Sequence, residues 1–211
     1  MCASTEAPAF HVEHSSEPND VPRETLDRFT GLLLRWNRTV NLISANDEPL
    51  LWDRHIRDSL QLAPLLVHRP DRAIDLGSGA GFPGLVLAIA TGIPFDLIEA
   101  DKRKAAFLRE AARITGAPVQ VHAVRIEAAQ VAPAPLITAR ALAPLSRLLS
   151  LAAPLLTADG TCLFLKGASA KAELTHAATQ WHMQVQSVPS RTIPDACILR
   201  ISHLSRVTPA T

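Results

Sequence analysis

The stretch Ala73-Ile74-Asp75-Leu76-Gly77-Ser78-Gly79-Ala80-Gly81-Phe82-Pro83-Gly84 decides how the rest of the chain is read. A short apolar run, as expected of a buried strand, passes into a segment with glycine at 77, 79, 81 and 84. Glycines this dense do not suit a strand or helix interior, because each gives up backbone entropy and adds no packing side chain. They suit a tight strand-to-helix turn where the main chain approaches a ligand closely. The spacing is not that of the dinucleotide fingerprint G-x-G-x-x-G, whose third glycine, counted from Gly77, would fall on Phe82. The chain carries Asp-x-Gly-x-Gly-x-Gly instead, with the acidic residue at the strand end.

On the carboxyl side of this loop, apolar runs alternate with helical patterns. Strands are predicted at 73–76, 95–99, 119–124, 136–139 and 161–165, with a closing antiparallel pair at 181–188 and 197–201. Helices are predicted at 84–90, 102–114, 144–156 and 170–180. That order implies an α/β fold with a mainly parallel seven-stranded sheet covered on both faces. Ligands then belong beyond the carboxyl ends of the strands.

On the amino side, residues 1–21 are rich in Ser, Glu, His and Pro and read as a flexible leader, with His11 and His14 as ordinary exposed histidines. Leu26, Phe29, Leu33 and Trp36 then recur at helical spacing, and a second helix is predicted over 49–60. Residues 22–66 form a helical cap, and 67–211 form the larger domain, one compact unit with the cap. The 211 residues, 47% hydrophobic and 19% charged, suffice for a substantial core. No run of eighteen apolar residues predicts a membrane span. Cys2, Cys162 and Cys197 are odd in number and scattered, which fits reduced thiols in the cytoplasm and no metal signature. A net charge of +1 neither demands nor excludes a nucleic-acid partner.

The loop resembles the S-adenosylmethionine loop of Rossmann-like methyltransferases. Backbone N–H groups at Gly77 and Gly79 suit the carboxylate of such a donor, and Asp75 its ammonium group, directly or through water. Phe82 offers apolar cover. Glu99 closes the second strand twenty-two residues after Gly77, the interval for a carboxylate that accepts from ribose hydroxyls. Asp101 competes for that role, or opens the following helix. After the third strand, Ile126 suits an apolar contact and a backbone donor to adenine, and Glu127 an acceptor from its amine or a helix cap.

Further motifs accompany this loop: Trp36-Asn37-x-x-Val40-Asn41-Leu42, Arg54-His55-x-x-Asp58-Ser59, Arg103-Lys104-x-x-Phe107-Leu108, Arg125-x-Glu127, Thr138-Ala139-Arg140-Ala141 and Leu165-Lys166-Gly167. Together they resemble the bacterial 16S ribosomal RNA guanine-N7 methyltransferases, the RsmG or GidB family. The resemblance implies methyl transfer from S-adenosyl-L-methionine to N7 of guanine 527 in 16S ribosomal RNA. It places cofactor contacts on Gly77, Phe82, Ile126, Glu127 and Arg140. Guanine N7 carries a lone pair and no proton, so alignment matters more than a general base.

Arg140 and Lys166 are the candidate catalytic residues, as orienters of the base or its phosphate. Lys102, Arg103, Lys104, Arg109 and Arg113, extended by Arg54 and Arg57, suit RNA phosphates. His55 is expected to hydrogen-bond Asp58, and Trp36 and Trp52 to pack in the core. The implied partner is 16S ribosomal RNA, a small ribosomal subunit or an assembly intermediate, met by a cytoplasmic monomer without metal or membrane. Competing readings are a methyltransferase for another RNA position or a small molecule, a nicotinamide dehydrogenase, and a non-catalytic RNA-binding module.

Overall fold

In the computed structural model, residues 22–66 and 69–207 are described; the expectations for the 1–21 leader, His11, His14 and Cys2 lie outside the described residues. The chain opens with α1 (Arg23–Asn37), whose stripe of Leu26, Phe29 and Leu33 is fully buried. Pro22 stands at the cap position just before α1. The predicted second helix is not one regular helix. It is a 3₁₀ turn (Ala45–Leu50) containing Pro49, a wide π turn (Trp52–Arg57) and a short α2 (Asp58–Leu60). Proline inside the first turn removes an amide donor, so a regular α ladder cannot run through it.

Seven strands follow: β1 (Ala73–Leu76), β2 (Phe95–Ile98), β3 (Val119–His122), β4 (Ala134–Arg140), β5 (Leu156–Lys166), β6 (Trp181–Pro189) and β7 (Cys197–Arg206). Between them lie α3 (Gly84–Thr91), α4 (Lys102–Thr115), α5 (Leu145–Ala152) and α6 (Ala170–Ala177). The sheet order is β3-β2-β1-β4-β5-β7-β6, with β7 antiparallel to both its neighbours and the other pairs parallel. The order reverses direction between β1 and β4, and such a switch point opens a crevice at the carboxyl ends of those strands.

One face of the sheet packs Ala73, Phe95, Leu97 and Leu163 against α1, α3 and α4; the other packs Ile74, Leu76, Ile98 and Phe164 against α5 and its surroundings. The cap shares the first of these cores. The Phe29 ring meets Phe82 edge-on at 5.8 Å and Phe107 at 6.2 Å, and Trp36 meets Phe107 at 5.8 Å. Burying Phe29 alone contributes about 2 kcal/mol or more. Val40, Leu42 and Ile43 tuck in beneath the connector, where Asn37 Oδ1 accepts from the Leu42 and Ile43 amides. Among the described residues, no helix is long and apolar enough to cross a membrane.

Candidate functional site

The glycine loop runs from the end of β1 to the start of α3, at the switch-point crevice. Gly77, Gly79 and Gly81 have φ of 65°, 55° and 94°, the left-handed region that side chains resist. A Cβ at Gly77 would lie 2.6 Å from Leu142 Cδ1, whereas one at Gly79 would meet nothing nearer than 3.8 Å. The main chain at 79 is therefore bare towards open space, as close approach of a ligand requires.

Glu99 holds this loop in place. Its Oε2 accepts from the Gly79 amide at 2.8 Å and its Oε1 from the Asp101 amide at 2.8 Å. The carboxylate sits at the carboxyl end of β2, half-buried, with lone pairs left for hydroxyl donors. Asp101 is the cap of α4, its Oδ1 accepting from the Arg103 and Lys104 amides.

Asp75 lies beneath the loop rather than in the crevice, and is fully buried. Its Oδ1 accepts from Thr138 Oγ1 at 2.7 Å, while Oδ2 has no hydrogen-bond partner. Burial pushes its carboxyl up to about 6, opposed first by the Thr138 hydroxyl. Gly84 is obligatory above it: a Cβ there would stand 2.4 Å from Asp75 Cβ and 2.8 Å from Oδ2.

Phe82 is 4% exposed, so its ring is a packing element rather than open apolar cover. His55 stacks on it at 4.9 Å with an interplanar angle of 15°. The Arg140 guanidinium lies 4.8 Å from the same ring, a cation–π distance. The expected His55–Asp58 hydrogen bond is absent. Both His55 ring nitrogens are buried without a hydrogen-bond partner, because the wide turn aims the imidazole at Phe82. Burial, then the charge of Arg140, lowers its pKa to about 4, so the ring is neutral at pH 7.

Arg140 ends β4 at the crevice and is mostly buried; Nη1 donates to the Arg54 carbonyl at 3.1 Å and to Asp58 Oδ2 at 3.4 Å. Burial lowers its pKa from the ordinary value, opposed by Asp58 and then Asp75. Lys166 does not stand open to a substrate. Its side chain is 10% exposed, and Nζ lies 2.6 Å from Glu173 Oε2 and donates to the Ala143 carbonyl at 3.0 Å. Glu173 also accepts from the Leu145 amide, so this pair fastens β5 and α6 to the start of α5.

Ile126 is half-buried in a one-turn 3₁₀ segment after β3, and packs against the core beneath α5. Glu127 beside it is exposed and paired with Arg147. Lys102 and Arg103 are exposed at the start of α4, next to Glu99, while Arg113 is taken by Glu110 and Arg109 reaches the Val121 carbonyl. Trp36 and Trp52 are half-buried, the latter beneath the Arg23 guanidinium at 3.6 Å, so neither stands free as a stacking platform.

The structure thus brings Gly77, Gly79, Phe82, Glu99 and Arg140 to one crevice, with Asp75 under it. Shallow hollows beside Trp181 and beside Gly31 lie away from these residues. The residues fit S-adenosylmethionine: positive-φ glycines, with the main chain at 79 open to close approach, and Glu99 as an acceptor at the end of β2. Sequence reasoning missed the tie of Glu99 to Gly79 and that of Asp58 to Arg140. The Arg54-His55-x-x-Asp58-Ser59 motif was the signal for the second. Among the described residues, no group of three His, Cys, Asp or Glu is arranged to hold a metal ion.

Comparison with known proteins follows the same direction. Residues 23–197 match the family described as GidB, rRNA small subunit methyltransferase G. A protein of Granulibacter bethesdensis named ribosomal RNA small subunit methyltransferase G is 60% identical over 190 residues, covering 89% of each chain. One of Gluconobacter oxydans with the same name is 58% identical, covering 89% of this chain and 98% of the relative. Among solved structures, an MtNAS variant in complex with S-adenosylmethionine shares the fold, with a TM-score of 0.59 at 15% identity over 86% of this chain and 76% of that one.

Proposed function

Because the chain belongs to the GidB family of rRNA small subunit methyltransferases, we propose that it transfers the methyl group of S-adenosyl-L-methionine to N7 of guanine 527 in 16S ribosomal RNA. The observation that carries this reading is the positive-φ glycine loop at the β1–β4 switch point, clamped through Gly79 by Glu99. The donor supplies an electrophilic methyl group on a sulfonium.

What the chain supplies is placement. The glycine loop lets the donor's amino-acid end lie close against its main chain, and Glu99 accepts from its ribose hydroxyls. Ile126 and Glu127 border its adenine. Guanine N7 needs no proton removed, so rate comes from holding the lone pair in line and from excluding competing geometries. Arg140 stands where β4 ends, close to Phe82 and Asp58, and a guanidinium there suits the donor and the O6 or phosphate of the incoming nucleotide. The exposed Lys102 and Arg103 supply a salt-dependent share of RNA affinity. The substrate particle is the small ribosomal subunit or an assembly intermediate, and the enzyme acts in the cytoplasm as a monomer.

The test is methylation of small subunits from cells lacking this modification, using labelled donor, followed by nucleoside analysis and mapping of the modified position. N7-methylguanine at guanine 527 is expected. Label at another nucleotide, or in a small molecule instead of RNA, refutes the assignment.

A further inference from the structure

Atoms of the segment from Arg54 to Ser59 converge on Arg140. The Arg54 carbonyl and Asp58 Oδ2 both accept from Arg140 Nη1, at 3.1 and 3.4 Å. His55 stacks on the Phe82 ring to which the guanidinium is also drawn. The Ser59 hydroxyl, fully buried, donates to the His55 carbonyl at 2.7 Å and fixes the turn that presents these groups. Asp58 itself is 2% exposed, and its Oδ1 accepts from Gln61 Nε2 and Thr192 Oγ1, each at 2.7 Å. Gln61 Oε1 in turn accepts from the Arg191 amide at 2.8 Å. The carboxylate is therefore gripped from two sides, by the cap and by the segment joining β6 to β7.

We propose that Asp58 is a positioning residue for the transfer reaction, fixing the Arg140 guanidinium against Phe82 at the mouth of the crevice. This rests on the function proposed above. A buried carboxylate whose second oxygen is already saturated cannot turn away from Arg140. The guanidinium is thereby held at Nη1 alone, keeping Nε and Nη2 for the donor or the RNA. Arg140 is then set before either ligand arrives, which lowers the ordering penalty on binding. A pair that merely bolted the cap to the sheet would contribute stability, but would not transmit its loss through Arg140.

The experiment uses the full chain and two readouts, donor affinity by calorimetry and kcat/KM on unmethylated small subunits. Asp58→Asn keeps the shape and the Oδ1 contacts but removes the charge facing Arg140. Donor affinity and kcat/KM are each expected to fall by roughly tenfold, as for a misplaced orienting group. In an Arg140→Ala background the same change is expected to have no further effect on either readout. Unaltered affinity and rate in Asp58→Asn, or losses that multiply in the double variant, overturn the proposal. If Asp58→Asn does not fold, Thr192→Val loosens the same carboxylate without removing its charge. It is expected to lower both readouts a few-fold and to be silent beside Arg140→Ala; multiplying losses there overturn the proposal equally. Failure of the functional reading shows separately, as wild-type protein placing no methyl at the expected base.

Discussion

Gly84→Ala adds one methyl group, and its effect follows from what already occupies that space. The new Cβ would stand 2.4 Å from Asp75 Cβ, 2.7 Å from Cγ and 2.8 Å from Oδ2, all inside the closest approach of real carbon contacts. None of the three atoms can yield easily. Asp75 lies in the middle of β1, paired with Leu97 on one side and Thr138 on the other, and its Oδ1 is held by the Thr138 hydroxyl. Overpacking of this kind costs about 3 kcal/mol. Replacing glycine by alanine in a helix returns about 1 kcal/mol. The net loss is about 2 kcal/mol, or roughly 4–8 °C in Tm for a chain of this size.

The decisive assay is a double-mutant cycle in urea, with Asp75→Gly as the second change. Asp75→Gly removes Cβ, Cγ and Oδ2 together and clears the space that the new methyl needs, so Gly84→Ala is expected to be neutral or mildly stabilising in that background. A Gly84→Ala protein as stable as wild type would refute the reasoning. So would equal losses with and without the Asp75 side chain.

Gly77→Asp is expected to abolish donor binding in calorimetry, because it forces a side chain into a φ of 65° and its Cβ to 2.6 Å from Leu142; unchanged affinity would remove the basis for the pocket. His55 yields a pH effect. Its pKa is lowered from 6.5 to about 4, so its contribution to stability is present above 6.5 and is lost as pH falls through 4. Urea midpoints should fall over that window, and less steeply in His55→Phe. Lys166→Met should destabilise by about 2 kcal/mol, measured by urea unfolding, because it removes the charged partner of Glu173, whose carboxylate keeps the Leu145 amide and the Ser169 hydroxyl.

The sheet was legible because its strands are short apolar runs bounded by turn residues. The predicted 73–76 matches β1, and the closing pair at 181–188 and 197–201 is antiparallel as expected. β5 begins earlier than predicted, at Leu156, because Thr157-Ala158-Asp159-Gly160 has no apolar alternation to betray pairing. The glycine loop and Asp101 were legible because their chemistry is local: positive φ at one, two neighbouring amides at the other. The grip on Arg140 was not, since Asp58 and Thr192 lie 134 residues apart and no periodicity links them. Nor was the enclosure of Lys166, whose partner Glu173 reads from sequence as an ordinary acid in the first turn of α6.

The ring cluster joining Phe29 to Phe82 and Phe107 has a bearing on protein engineering. A chimera that borrowed residues 22–66 from a relative would also be replacing the aromatic packing that backs the glycine loop. Grafts from a relative must therefore carry matching aromatic neighbours on the loop and on α4, or they will leave gaps or clashes behind it.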